Sequence, residues 1–139
     1  MNSIFYWKKK YFENEYSSTK FKFYSKYPPL HKMQPGETMW VVAKHDDQYV
    51  LVCRFVVHHT STELSPEHGD FCIVGDRQKI VFYKLDNLHQ RKVKPLIAKL
   101  MKWDNEELGE YFQGARHICE LTPLQHQEIE TFSKSLEPV

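Results

Sequence analysis

The side chains able to do chemistry are 8 His, 3 Cys and 18 Asp plus Glu. His58-His59 with Glu63, and His68 with Asp70, place imidazole and carboxylate donors close enough in sequence for a divalent metal. A histidine doublet at a strand end, however, sends one ring inward and one outward, so no metal site is expected. Cys119 follows His117 by two residues, and on a strand such a pair shares a face, as in a base-activated thiol. No third group is evident to orient the imidazole, and a buried structural cysteine is the simpler reading. The glycines Gly36, Gly69, Gly75, Gly109 and Gly114 are scattered and build no phosphate loop. The G-x-S-x-G and H-E-x-x-H patterns are absent, as are the H-x-E and P-C-x-x-C halves of the zinc deaminases. Neither catalysis nor a cofactor is expected.

What remains is aromatic and cationic. Aromatics make up 14% of the chain. Trp7 runs directly into Lys8-Lys9-Lys10, and Trp40 falls on the same strand face as Lys44. Such pairs suit base recognition, in which a ring stacks on a base while an ammonium meets a phosphate. The competing reading is that Trp and Phe on strands build the core.

Charge is segregated beneath a net +1. Arg77, Lys79, Lys84, Arg91, Lys92, Lys94, Lys99 and Lys102 face one intervening acid, Asp86, whereas eight acids and two basic residues follow from Trp103 onward. Basic stretches interleaved with aromatics are one footprint of nucleic-acid binding. A solvated face neutralised by the acidic tail is the alternative.

These residues must be positioned by a chain of 139 residues with 41% hydrophobic content, enough for one domain with its own core. A disordered chain would have fewer aromatics and more net charge. Three cysteines with no C-x-x-C spacing argue against a disulfide scaffold or structural zinc. No apolar run approaches a membrane span of ~18–20 residues. The apolar start precedes its lysines, the reverse of a signal peptide, so a reducing cytoplasm is expected.

Residues 3–7 read as a first strand, and 11–30 as irregular with room for a short helix or strand. Gln34-Pro35-Gly36-Glu37 is a turn signal. Thr38–Lys44 is a strand with Met39, Val41 and Ala43 on one face and Trp40, Val42 and Lys44 on the other. A hairpin loop at His45–Gln48 leads into a long buried strand, Tyr49–His58. Shorter strands are expected at Phe71–Val74 and Lys79–Leu85. Val93, Leu96, Ile97, Leu100 and Met101 carry a helical stripe, with Pro95 in the first turn. A short strand precedes the last helix, which opens on Thr122 as N-cap, Pro123 and a capping-box Gln125. Its buried face is Ile129, Phe132 and Leu136, with Glu128 and Glu130 solvated. The expected fold is α+β, a small curved β-barrel or strongly curved sheet flanked by helices, with residues 1–139 as a single domain.

Three segments give this order a family likeness. Phe5-Tyr6-Trp7-Lys8 is similar to the Trp-bearing opening strand of EVE domains. Lys32–Lys44 resembles their Met-x-x-Gly-Asp turn and pocket strand, with Glu37 in place of the Asp, and Tyr49–Val57 matches the next strand. Phe112–Pro123, continuing to Ile129, is similar to the closing Arg-bearing strand and final Thr-capped helix. The chain thus resembles the EVE group of the PUA-like superfamily, relatives of the YTH domains. Residues 13–30 lack the family's Trp-Gly and Arg-Asn, and Val42-Ala43-Lys44 stands where Tyr-His-Ser is usual.

The resemblance implies a PUA-like barrel whose aromatic pocket accepts one flipped-out, modified base of DNA or RNA. It also implies a bacterial source, with a separate nuclease or other protein as a possible companion. Trp7 and Trp40 would wall the pocket, with Phe23 or Tyr24 as a third ring. Lys44 and Arg116 would meet the base edge or a phosphate, Arg116 being carried over from the family's closing strand. Lys8, Lys9, Lys10, Lys20 and Lys22 would hold the backbone. Extruding a base costs a few kcal/mol and stacking returns about 1–3 kcal/mol, so backbone contacts supply the rest. The alternatives are a protein-interaction domain using the basic 91–102 helix face, and a small-ligand-binding barrel.

Overall fold

The structure is a computed structural model that describes residues 1–16, 21–25, 32–61, 71–103 and 118–139. Among them are seven strands: β1 (Ser3–Trp7), β2 (Lys22–Ser25), β3 (Thr38–His45), β4 (Gln48–Ser61), β5 (Phe71–Gly75), β6 (Val81–Phe82) and β7 (Ile118–Glu120). The helices are α1 (Lys9–Glu15), α2 (Val93–Met101, entered through a 3-10 turn at Leu88–Lys92) and α3 (Pro123–Ser133). The stretch read as irregular at 11–30 therefore contains most of a helix and a four-residue strand.

The strands form one mixed sheet in the order β2-β5-β4-β3-β1-β7, with β6 on the free part of β4. β1 runs parallel to β3 and the other pairs are antiparallel. The sheet is α+β as expected but is not closed into a barrel: β2 and β7 stand at opposite ends of the path. It curls nonetheless. Phe23 of β2 meets Phe5 and Trp7 of β1 at ring-centroid distances of 5.4 and 4.8 Å, across the concave side.

Local chemistry fixes the corners. Pro35 and Gly36 (φ +87°) occupy the middle of a turn closed by Glu37 N–H donating to the Gln34 carbonyl at 3.1 Å, the φ pattern of a type II turn. Asp46 and Asp47 both take positive φ, 50° and 58°, the two-residue solution that matches strand twist in the β3–β4 hairpin. Lys79 and Ile80 fold back on the Asp76 carbonyl, so the strand expected at Lys79–Leu85 shrinks to Val81–Phe82.

Two bulges decide which face each β4 residue sees. The register slips between Val41 and Val42, which pair with Cys53 and Leu51 and leave Val52 as the extra residue. Val50 and Val52 before the slip, and Cys53, Phe55 and Val57 after it, therefore all enter one core layer. A slip of one residue swaps every later side chain between faces. Leu51, and beyond the slip Arg54, lie on the opposite side with Trp40.

The sheet is thus sandwiched between two cores. An aromatic layer holds Phe5, Trp7, Phe12, Phe23, Met39, Phe55 and Ile73. A helix-covered layer holds Ile4, Trp40, Val42 and Leu51 beneath Val93 and Ile97 of α2 and Ile129 of α3. α3 has the expected cap: Thr122 Oγ1 accepts from Gln125 N–H at 3.2 Å, and Gln125 Oε1 accepts from Thr122 N–H at 2.8 Å. No described helix is long and apolar enough to cross a membrane.

Candidate nucleic-acid interface

Among the rings assigned to the base pocket, Trp7, Phe23 and Trp40 are buried and do not line one common cavity. Trp7 and Phe23 are each 3% exposed and Trp40 is 0% exposed. Parallel pairing sets Trp7 opposite Ala43 and Ile4 opposite Trp40. Strand alternation then sends the two tryptophans to opposite faces of the sheet. Trp7 packs edge-on against Phe12 at 5.3 Å and Phe23 at 4.8 Å. Trp40 lies in the other layer, so Trp7 and Trp40 do not wall a common cavity.

The cations are spread just as widely. Lys44 is half-buried on the Trp40 side, its Nζ 5.8 Å from the Tyr49 ring centroid. Lys8, Lys9 and Lys10 are exposed at the start of α1 beyond Trp7. Lys9 reaches Glu13 at 3.8 Å and Lys10 lies over Tyr11. Lys22 is half-buried in β2. Tyr24 pairs with Cys72 through its backbone, and its side chain is not described. Arg116, Lys20, Glu63, His68, Asp70 and His117 lie outside the described residues.

The histidine doublet departs from the inward–outward expectation. The second bulge falls at His58, and both rings are exposed with their Nδ1 atoms 2.7 Å apart. Among the described residues no group of three or more His, Cys, Asp or Glu is placed to hold a metal. Cys53 and Cys72 are buried and outside any disulfide, and burial pushes the Cys53 pKa well up, away from reactivity.

The basic run read from the sequence keeps most of its cations exposed. From Gly75 the chain climbs the outer edge of β4 through β6, the 3-10 turn and α2. Tyr83 N–H donates to Val52 carbonyl at 2.9 Å. Beyond it a side chain replaces a strand. Buried Gln90 accepts from Leu51 N–H through Oε1 at 2.7 Å and donates from Nε2 to the Leu51 carbonyl at 2.9 Å. With the backbone pinned there, Arg77, Lys79, Lys84, Arg91, Lys92, Lys99 and Lys102 are all exposed. Lys84 meets Glu137 at 2.8 Å and Lys99 approaches Glu128 at 3.9 Å. No described carboxylate pairs with Arg91, Lys92 or Lys102. On α2 the buried positions are Val93, Ile97 and Ala98, and Lys99 and Lys102 fall on the opposite, solvent side.

Sequence reasoning missed a polar cluster in the helix-covered layer. Trp40 Nε1–H donates to His126 Nδ1 at 2.9 Å, and His126 Nε2 stands 3.3 Å from Glu130 Oε2. Arg54 lies over the Trp40 ring at 5.7 Å and 3.9 Å from the same Glu130 oxygen. Glu130, expected in water, is thus engaged from two sides. The available signal was Arg54 itself, a charge inside the apolar run from Tyr49 to Val57.

Comparison of the chain with family models, with curated proteins and with solved structures returns no match.

Proposed function

We propose that the protein is a non-catalytic nucleic-acid-binding module that grips the phosphate backbone with the cationic strip from Arg77 to Lys102. The observation that carries this reading is the ledge of Arg91, Lys92, Lys99 and Lys102, all exposed, with no acid between Asn87 and Trp103. At 1.5 Å per helical residue, Lys92 and Lys102 are about 15 Å apart along the axis. That spans roughly four phosphates of one strand at ~3.4 Å each. The resemblance to the EVE group supports nucleic acid over other polyanions, and a PUA-like arrangement of the curved sheet and a cytoplasmic site of action belong to the same proposal. Preference for a modified base is the finer part of the reading. With Trp7, Phe23 and Trp40 buried, the rings that would stack on such a base are not those three in their present positions.

The test is fluorescence anisotropy with labelled single- and double-stranded DNA and RNA, unmodified or carrying one methylated base, across a salt series. Binding should weaken linearly in log–log with salt. The triple variant Arg91→Glu/Lys92→Glu/Lys102→Glu should reduce the slope by about three and affinity by more than tenfold. Unchanged affinity in the variant would overturn the assignment of the strip. Absence of binding at low salt would overturn the proposal in favour of an acidic protein partner on the same helix face.

A further inference from the structure

The cluster around Trp40 supports an inference independent of what the cationic strip binds. α3 is fastened to the rest of the fold by several polar contacts, Arg54–Glu130 among them. At its start, Gln125 Nε2 donates to the Leu100 carbonyl of α2 at 2.8 Å. Beyond its end, Lys84 N–H donates to the Glu137 carbonyl at 2.8 Å and Val139 N–H to the Phe82 carbonyl at 2.9 Å. Between them, the polar fastening to β3 is the Trp40–His126 hydrogen bond.

That bond has a chemical condition attached. An indole N–H can only donate, so His126 Nδ1 must present its lone pair and the ring proton must sit on Nε2, toward Glu130. Protonating the imidazole puts a second N–H on Nδ1, and two donors then face each other across 2.9 Å. Trp40 is wholly buried and cannot turn its N–H to water without a shift of α3. The His126 side chain, 18% exposed, is open enough for protons to reach it. We propose that the Trp40–His126 bond is an acid-sensitive latch, closed when His126 is neutral, whose protonation loosens the first half of α3 from the sheet.

The surrounding groups set where it opens. Burial is the largest influence and lowers the His126 pKa; Glu130 on α3 opposes that and Arg54 on β4 adds to it. Tyr83, beside Ser133 of α3, and Cys53 are further titratable groups near the Arg54–Glu130 pair. The net direction is downward from 6.5. The latch is therefore closed at neutral pH and opens on the acid side of the ordinary histidine range.

The test is hydrogen exchange of the Trp40 indole N–H by NMR on the full chain, with side-chain nitrogen shifts of His126 recorded in the same samples. Protection normalised to a free indole should fall at least tenfold between about pH 7.5 and pH 5. Its midpoint should coincide with the change of Nδ1 from acceptor to N–H, while the β3 backbone amides stay protected. His126→Asn, whose carboxamide oxygen accepts without titrating, should hold protection flat over that range. Protection independent of pH, a proton on Nδ1 at neutral pH, or simultaneous loss of β3 amide protection would each overturn the latch. If His126→Asn does not fold, the wild-type midpoints decide: agreement supports the latch and disagreement overturns it.

Discussion

The two faces of the sheet are supplied by the same strands yet hold it by different means. The aromatic layer is apolar, with Trp7, Phe12, Phe23 and Phe55 meeting edge to face and no ion pair among them. The helix-covered layer buries a comparable apolar stripe, but Trp40, Arg54, His126 and Glu130 thread it with directional contacts. Apolar burial is indifferent to protonation, whereas a hydrogen bond to an imidazole is conditional on it. One layer is therefore held chiefly by packing, and in the other packing is conditional on pH.

The largest effect that sharpens this contrast is truncation of the tryptophans. Trp7→Ala empties the middle of the aromatic layer and should cost about 3–5 kcal/mol, a large share of a typical domain's stability. Trp40→Ala removes the same volume, strips His126 of its donor and uncovers Arg54, so its loss should be at least as large. Urea denaturation of both variants at neutral pH measures the difference. A Trp40→Ala protein with wild-type stability would show that Trp40 is not a core residue and would return it to the list of candidate stacking rings.

A smaller effect probes how tightly the aromatic layer is filled. At Gly75, a built-in Cβ would meet the Phe55 ring at 2.7 Å and collide with Ile80 Cδ1. Gly75→Ala must displace Phe55, which in turn supports Phe23 at 5.0 Å. The expected cost is about 1–3 kcal/mol from overpacking. It should appear as a lower denaturation midpoint with an unchanged slope. A neutral substitution would mean that this layer yields more readily than its interlocked rings imply.

What the sequence revealed follows from what periodicity can encode. The first strand is legible at its full bounds, Ser3–Trp7, and the faces of β3 follow from strict alternation. Thr122, Pro123 and Gln125 announce α3 because capping is a local interaction. The β4 bulges are different. Each slips the register by one residue within a single strand pair, and nothing in Tyr49–Val57 marks Val52 as the extra residue. The Trp40–Arg54 pairing depends on that register, so Arg54 marks an anomaly in the apolar run without revealing its partners. Gln90 is likewise hidden: a glutamine among charged neighbours gives no sign that it will replace a strand on Leu51. The pairing of Trp7 with Trp40 as two walls of one pocket failed for the complementary reason. Each was placed correctly on a strand, but only the β1–β3 register tells that they face apart.

The subtlest test uses conservative changes on both faces and reads them against pH. His126 has its pKa lowered in the folded state, first by burial, so the unfolded chain takes up the proton sooner as pH falls. Its contribution is fully present above the unfolded value of 6.5, declines as pH drops through that value, and levels off below the folded value. Trp40→Phe deletes the donor that forbids a proton on Nδ1 while keeping an aromatic ring in place. It should lose about 0.5–1.5 kcal/mol at neutral pH from the missing hydrogen bond. It should also show a shallower decline on the acid side, because only burial and Arg54 still oppose the charge. Trp7→Phe lowers stability through packing in the other layer and should leave the acid decline parallel to that of the wild-type protein. Denaturation midpoints of the three proteins between about pH 7.5 and pH 5 decide the matter across the ordinary histidine range. Equal acid slopes in all three would show that the conditional core is held by burial of His126 alone and that the indole adds nothing to its pH dependence.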